Sequence, residues 1–230
     1  MSDDDVLSTR PWFLVSGGSG GIGGAVCEAL SARGFLPVVG YHCNASAAQT
    51  VAQRCGGRGL ALDLSDPASI LAGIAALEAA PRLAGVVLAG SPPPTLGPFG
   101  QIAEDEMERQ WRVNVLGPQQ LLAGLVRSCF RKHKRGSVVG ILSRAMGVDG
   151  GPAASGMGAY VIAKYGMAGV LALLAADYPW LRVRTVKPGY TETRMLAGFD
   201  ERFLALQRDK LPFSKPEEIA SSVVQEAFEA

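Results

Sequence analysis

Short apolar segments alternate with helical segments six times along this chain, and that alternation limits the fold more than any other feature. The predicted strands span residues 12–15, 35–41, 59–62, 83–89, 137–142 and 182–186. They are apolar nearly throughout, as expected for strands that are buried on both faces. Repeated strand–helix units of this kind predict an α/β fold, with a doubly wound parallel sheet and helices on both faces.

The helical segments have recognisable periodicity and end signals. They are predicted at residues 22–33, 45–55, 66 onward, 104–134, 160–178, 196–210 and 216–229. Asp66 is the predicted N-cap of the third helix, and Pro67 fits its first helical position. No linker, low-complexity stretch or fixed-period repeat interrupts the 230 residues, so we expect a single domain over 1–230.

Composition excludes several classes of protein. The net charge of +1 argues against a general nucleic-acid binder. No apolar run reaches the roughly 20 residues of a membrane span, so no membrane partner is expected. The acidic residues 1–5 have the wrong sign for a targeting peptide, which favours a cytoplasmic location. Neither a metal site nor a disulfide framework is expected, because no CxxC pair occurs and the histidines are far apart. The residues concerned are Cys27, Cys43, Cys55, Cys129, His42 and His133.

A glycine-rich loop follows the first predicted strand. Residues 16–23 read Ser-Gly-Gly-Ser-Gly-Gly-Ile-Gly and lead into the first helix. Glycines permit a tight turn and a close approach of backbone to a pyrophosphate, and the next helix directs free N–H groups at the phosphates. A plain flexible turn is the alternative, but the strand–helix context favours a dinucleotide site.

Several motifs occur in the order typical of one family. Gly17, Gly21 and Gly23 have Gly-x-x-x-Gly-x-Gly spacing, with Ser16 in place of a threonine, and Tyr160 and Lys164 form Tyr-x-x-x-Lys. The sequence therefore resembles the short-chain dehydrogenase/reductase family, with 3-oxoacyl-acyl-carrier-protein reductases as similar members. The resemblance implies a Rossmann sheet with the strand order 3-2-1-4-5-6. Six strands are expected, and a seventh is the alternative.

The resemblance also implies a catalytic set. Tyr160 would be the general acid, and the Lys164 ammonium would lower the pKa of its phenol, since both lie on one helical face. Ser143, at the end of the fifth strand, would orient the substrate oxygen, with Ser155 as a weaker rival. Asn114, in an Asn-x-x-Gly motif, would hold a water that connects the lysine to solvent.

Further motifs indicate how the cofactor would be bound. In relatives the segment from Pro188 to Thr193 contacts the nicotinamide end, and an acid equivalent to Asp63 lies near the adenine. Ala89 and Gly90 keep half of a motif whose two asparagines are replaced here by Val87 and Leu88. The predicted cofactor-binding residues are Ser16, Gly17, Ser19, Gly21, Ile22, Gly23, Tyr41, His42, Asn44, Asp63, Leu64, Ala89, Gly90, Tyr160, Lys164, Pro188, Gly189, Thr191 and Thr193.

The end of the second strand bears on the form of the cofactor. An acid there would bind the ribose diol of NAD, but Tyr41 occupies the position and no acid follows through Ser46. His42 and Asn44 could hydrogen-bond a 2′-phosphate. Gly20 stands where NADP-using relatives often have arginine, and the lack of that arginine argues against NADP. NADP is favoured and NAD stays open.

These features predict an NAD(P)H-dependent oxidoreductase that moves hydride between nicotinamide and a carbonyl or secondary alcohol. A ketoreductase is the favoured form, with an acyl thioester, free or carried by a protein, as one candidate substrate. A non-catalytic NADP-binding sensor or structural protein is the alternative. Substrate loops are expected at 91–99, 147–158 and 193–210.

Two surface features concern partners. A homodimer or homotetramer is predicted through the helices 104–134 and 160–178, on the expectation that their small and apolar residues are exposed. Those residues are Ala123, Gly124, Met167, Leu171 and Leu174. The basic run 127–135 is interpreted as a helix C-terminus and solvated turn, with docking of an acidic carrier protein as the alternative.

Overall fold

A computed structural model of the chain describes residues 9–148 and 150–229, and a six-stranded parallel sheet forms its centre. The order is β3-β2-β1-β4-β5-β6, which confirms the predicted topology. The strands are β1 (Trp12–Ser16), β2 (Leu36–Tyr41), β3 (Arg58–Ala61), β4 (Leu83–Leu88), β5 (Gly136–Ile141) and β6 (Leu181–Val186). The acidic residues 1–5 and Asp149 of the loop 147–158 lie outside the described residues.

Helices cover both faces of this sheet. They are α1 (Gly21–Ala32), α2 (Ala45–Cys55), α3 (Pro67–Glu78), α4 (Glu104–Trp111), α5 (Gly117–Leu125), α6 (Gly158–Asp177), α7 (Glu201–Lys210) and α8 (Pro216–Phe228). Short 3₁₀ turns span Phe99–Gln101, Arg144–Met146 and Arg194–Gly198.

Strand residues alternate between two hydrophobic cores. Leu14 pairs in register with Val38 and Val86, and all three face the core that α3, α5 and α6 cover. Val15 pairs with Val39 and Val87, which face the opposite core beneath α1, α2 and α8. Successive side chains of a strand point to opposite faces, so an apolar run buries both faces.

Side-chain caps explain the starts of several helices. The Asp66 carboxylate accepts hydrogen bonds from Ala68 N and Ser69 N, at 3.0 and 3.3 Å, which confirms the predicted cap of α3. The single helix predicted at 196–210 is wrong. A 3₁₀ turn ends at Gly198, and α7 begins after Asp200, whose carboxylate accepts from Phe203 N. The first amides of a helix have no acceptor within it, and the Asp200 carboxylate supplies one for Phe203 N, so that α7 can begin here.

The long helix predicted at 104–134 runs from Glu104 to Phe130 and contains two π-turns. The first spans Arg112–Leu116 and carries Asn114, and the second spans Val126–Phe130. The chain then turns, and the basic side chains from Arg131 onward are exposed, as expected for a helix end followed by a solvated turn. A π-turn inside a helix is uncommon and frequent at functional sites.

Two sequence expectations about α6 need correction. Met167, Leu171 and Leu174 are buried in the core on one face of the sheet, and Gly124 of α5 is buried against Ile74 of α3, so these residues are not exposed as predicted. The sheet needs an apolar cover on this face, and these residues supply it. By length and composition α6 could also cross a membrane, contrary to the expectation that no stretch is long enough. Its core-facing residues account for part of that apolar composition.

Candidate active site

The glycine loop packs directly against the segment that follows β4. Gly17 has a φ of +66°, and a Cβ placed there would lie 2.6 Å from Gly90 Cα. Ser16 is buried, and its Oγ accepts a hydrogen bond from Gly90 N at 3.3 Å. The turn therefore needs glycine both for its left-handed backbone and for this close approach.

A cleft of about 1120 Å³ opens above this loop. Helix α1 begins beside it at Gly21, and no side chain caps its first turn. Amides at an uncapped helix start attract anions, because they lack acceptors and lie at the positive end of the helix dipole. The glycine lining and these free donors fit a dinucleotide pyrophosphate. Predicted residues that line the cleft are Gly17, Ser19, Gly21, Ile22, Gly23, His42, Asn44, Asp63, Leu64, Ala89, Gly90 and Thr193.

The residues predicted to lie near the adenosine form an ion pair with one another and hydrogen bonds with their neighbours in sequence. His42 Nε2 lies 3.3 Å from an Asp63 carboxylate oxygen. Burial raises the pKa of Asp63, but hydrogen bonds from Ser65 and the charge of His42 outweigh it, and the pKa is lowered. Asn44 caps α2 by accepting from Ala47 N at 3.0 Å. Tyr41 does not line the cleft, and its ring lies beside Gly59 of the neighbouring strand.

A second cavity of about 360 Å³ adjoins the cleft and shares Ile22, Ala89 and Thr193 with it. The predicted residues Ser143, Tyr160 and Lys164 line it together, and so do Pro188, Gly189 and Thr191. The rival Ser155 is exposed and lines neither space, so the geometry favours Ser143.

Lys164 is buried between the sheet and the base of this cavity. Its Nζ donates to Ile141 O at 2.9 Å and lies 5.4 Å from the centre of the Tyr160 ring. Burial lowers the pKa of Lys164 to about 7. Helical spacing places the two side chains on one face, and β5 supplies the carbonyl that holds the amine.

Tyr160 and Ser143 meet at the cavity wall. Burial raises the pKa of the Tyr160 phenol, and its hydrogen bond with the Ser143 side chain lowers it by less. The sequence-based expectation of a lowered phenol pKa is therefore wrong for this structure, because desolvation outweighs the neighbouring groups. The raised pKa keeps the phenol protonated at neutral pH. Ser143 Oγ also accepts from Ala145 N at 3.1 Å.

Asn114 lines neither the cleft nor the smaller cavity. It is fully buried within the first π-turn, and its Oδ1 has no hydrogen-bond partner among the described residues. Trp111 at the end of α4 and Val115 of the π-turn pack on Gly166, two residues beyond Lys164 on α6. The structure thus brings the π-turn beside the helix that carries Tyr160 and Lys164.

Sequence reasoning missed the basic side chains around the two spaces. Arg54, Arg194 and Arg208 line the large cleft, and Arg144 and Lys210 line the smaller cavity. Two of these directly follow predicted site residues, Ser143 and Thr193, and that adjacency was the available signal. The others come from α2 and α7, whose approach to the cleft depends on packing.

A family model described as short chain dehydrogenase matches residues 11–202. The chain belongs to the short-chain dehydrogenase family. The 3-oxoacyl-acyl-carrier-protein reductase FabG of Vibrio cholerae serotype O1 is 29% identical over 91% of this chain and 86% of its own length. The ordered motifs and the sheet topology agree with membership of this oxidoreductase family.

Solved structures similar to this short-chain dehydrogenase share its fold. One, described as ribose-5-phosphate isomerase from Brucella melitensis 16M, has a TM-score of 0.84 and 28% identity, covering 96% of this chain and 87% of its own. Another, the angucycline C-6 ketoreductase LanV with bound NADP, has a TM-score of 0.82 and 22% identity, covering 96% and 90%. Because these names state different reactions, the structural similarity shows only the fold, and the reaction has to be inferred from the side chains of the site.

Proposed function

We propose that this protein is an NAD(P)H-dependent ketoreductase. The single observation that carries the proposal is the joint position of Ser143, Tyr160 and Lys164 on the wall of a cavity that opens into the glycine-lined cleft. A bound nicotinamide would supply the hydride. The similarity to the FabG reductase supports reduction of a carbonyl.

Each side chain has a separate task in this proposal. The Tyr160 phenol donates its proton to the carbonyl oxygen that becomes an alcohol, and its raised pKa keeps that proton in place beforehand. Ser143 donates a hydrogen bond to the same oxygen as negative charge develops there. Lys164 supplies positive charge beside the phenol when protonated, which favours the phenolate that forms. Asn114 holds a water on the path from the lysine to solvent.

The substrate should be largely apolar, because the smaller cavity is lined by side chains such as Met157, Tyr190 and Phe199. Arg144 and Lys210 add positive charge to its wall, which would suit an acyl thioester with a phosphate-bearing carrier. We propose that residues 91–99, 147–158 and 193–210 form the substrate loops of a single domain, since each contributes to the cavity lining.

NADP is our favoured cofactor over NAD. No acid follows β2 to bind a ribose diol, and the mostly exposed His42 lines the cleft just beyond that strand. A cytoplasmic location is also proposed, and the free cysteine thiols fit a reducing compartment.

A homodimer or tetramer remains part of the proposal, through different residues from those expected. On α4, α6 and the segments beside them, exposed large side chains include Phe99, Trp111, Leu116, Tyr165 and Leu173. An apolar surface of this kind is typical of protein interfaces.

The decisive experiment compares Tyr160→Phe with the wild type in NADPH and NADH oxidation against apolar ketones and acetoacetyl thioesters. We expect loss of the general acid to lower kcat by about 10²–10⁴-fold. Fluorescence titration should give unchanged NADPH binding for the variant. A wild type that binds NADPH but is as inert as Tyr160→Phe on every carbonyl would support the sensor alternative instead.

A further inference from the structure

Two basic side chains of the smaller cavity lack an acidic partner among the described residues. Arg144 and Lys210 both line the cavity, and neither side chain has an ion pair or hydrogen bond with any residue that the structure describes. Arg109 and Arg112, in contrast, are each paired with a glutamate one helical turn away. The third cation of the lining, Lys164, is buried and belongs to the proposed catalytic set. No acidic residue occurs in the described part of the lining, so an anion that enters would meet no competing carboxylate.

Arg144 is fixed beside the predicted substrate-orienting serine. It directly follows Ser143, so the two Cα atoms are about 3.8 Å apart. Its backbone N donates to Pro188 O at 2.8 Å, and its Cδ lies 3.5 Å from the position that a Cβ on Gly189 would take. The base of the side chain is thus held against the segment after β6. The residue is exposed and lines the cavity, so a ligand can reach its charge.

Lys210 approaches the same part of the cavity from α7. It is the last residue of that helix, and Phe213, three residues later, also lines the cavity. The Phe213 ring stacks on the Tyr190 ring, with centroids 5.1 Å apart. Tyr190 directly follows Gly189, beside which Arg144 lies. The two cations therefore flank the same part of the cavity, at the start of the segment after β6.

The lining nearest the catalytic phenol is apolar. Met157 and Tyr160 belong to a small buried cluster, against which Tyr190 and Phe199 pack. The rings of Tyr190 and Phe199 meet edge to face, with centroids 6.0 Å apart. The cavity volume of about 360 Å³ is sufficient for a small ligand. A ligand bound here buries apolar surface beside the phenol while a charged group faces the two cations.

The position of the positive charge favours a carboxylate near the carbonyl over a phosphate on a carrier. A guanidinium presents parallel N–H donors that match the two oxygens of a carboxylate. Arg144 adjoins Ser143, which orients the carbonyl oxygen in the proposed function. The anion must therefore lie within reach of an arginine side chain from that carbonyl. A carrier phosphate is separated from its thioester by a long flexible arm.

We propose that the substrate of the smaller cavity is a keto acid, an apolar ketone whose carboxylate is bound by Arg144 and Lys210. The carbonyl carbon receives the hydride and its oxygen receives the proton of Tyr160, so the product is the corresponding hydroxy acid and the carboxylate is unchanged. Arg144 and Lys210 determine specificity and take no part in the reaction. This rests on the proposed function, because it names the substrate class of the ketoreductase.

Benzoylpropionate and its methyl ester test the proposal, because they share a phenyl ketone and differ in charge. With NADPH, the wild-type kcat/KM should be about tenfold higher for the acid, equivalent to about 1.4 kcal/mol. Arg144→Gln and Lys210→Gln should each lower the acid-to-ester ratio of kcat/KM by about threefold, mainly through KM. Arg202→Gln is the matched control, since it removes one positive charge from an exposed position of α7 that lines neither space.

Calorimetric titration of the protein saturated with NADP⁺ gives a readout without turnover, because NADP⁺ carries no hydride to transfer. The acid should bind about tenfold more tightly than the ester to the wild type and to Arg202→Gln. This preference should fall in both test variants. A second pair of substrates, acetoacetyl-coenzyme A and the acetoacetyl thioester of N-acetylcysteamine, compares a phosphate-bearing carrier with a neutral thioester.

Every outcome bears on the proposal. A preference for the acid that falls in Arg144→Gln and Lys210→Gln, and persists in Arg202→Gln, supports it. Equal kcat/KM for acid and ester in the wild type overturns it. A preference that either test variant keeps also overturns it, since that cation would then not bind the carboxylate. A preference confined to the coenzyme A thioester assigns the cations to a carrier phosphate instead. A wild type that reduces neither ketone refutes the proposed function, and the calorimetric preference then decides the carboxylate site alone.

Discussion

Lys164 should make the stability of the protein rise with pH through the neutral and alkaline range. Its pKa is lowered by burial from 10.5 to about 7. Between those values the unfolded chain carries a proton on Lys164 that the folded chain has released, so folding becomes more favourable as pH rises. Below the folded pKa both states carry the proton, and the full penalty of burying the charge remains.

The size of this penalty follows from the two pKa values. At about 1.4 kcal/mol per pH unit, the lowering corresponds to about 5 kcal/mol below neutral pH. Between about pH 6 and about pH 9 roughly 2.5 kcal/mol of it should be relieved. Lys164→Met removes the charge and the pH dependence together. It also leaves Ile141 O without its side-chain donor, a loss of about 1–3 kcal/mol that does not vary with pH.

Urea unfolding of the protein without added nucleotide, at about pH 6 and about pH 9, measures the effect. The free energy of unfolding of the wild type relative to Lys164→Met should increase by roughly 2.5 kcal/mol from the lower to the higher pH. Lys132→Met, at an exposed lysine of the basic run, should show no such change. An equal wild-type-to-variant difference at both pH values would refute the reasoning, since it would mean that Lys164 is solvated in the folded state.

Two further predictions concern the glycine loop and the assembly. Gly17→Ala should destabilise the protein by about 3 kcal/mol or more and weaken NADPH binding, because its Cβ would lie 2.6 Å from backbone. Gly34→Ala, also at positive φ but with open space around it, should lose about 1–2 kcal/mol in urea unfolding and keep NADPH binding. Trp111→Glu should shift the sedimenting species toward monomer, and Leu71→Glu, at an exposed leucine on α3, should not. A monomeric wild type, or equal nucleotide binding by the two alanine variants, would contradict these expectations.

Those parts of the site that depend on local spacing followed from the sequence. Tyr160 and Lys164 are four residues apart on one helix, so their shared face needs no knowledge of the rest of the chain. The glycine loop was recognisable because a strand precedes it and a helix follows it. The strand order followed once these motifs identified the family, since short right-handed crossovers leave few arrangements of such units.

Tertiary packing decided what the sequence could not. The expectation that Met167 and Leu171 are exposed failed because an apolar helix face looks alike whether it meets a sheet or a partner. The pKa of Tyr160 rose because burial depends on every element around the cavity. Glu106 accepts a hydrogen bond from Thr95 N, and Arg109 donates to Pro93 O, on a segment that no helical or strand period describes.

The sequence by itself thus determined the α/β fold, the glycine loop and the pairing of Tyr160 with Lys164, because each depends on residues close together in the chain. Only the tertiary structure decided the burial of Lys164 against β5 and the choice of Ser143 over Ser155. Hydrogen bonding and desolvation at these residues depend on groups that folding brings together from distant positions in the chain. Neither effect can be inferred from residue spacing.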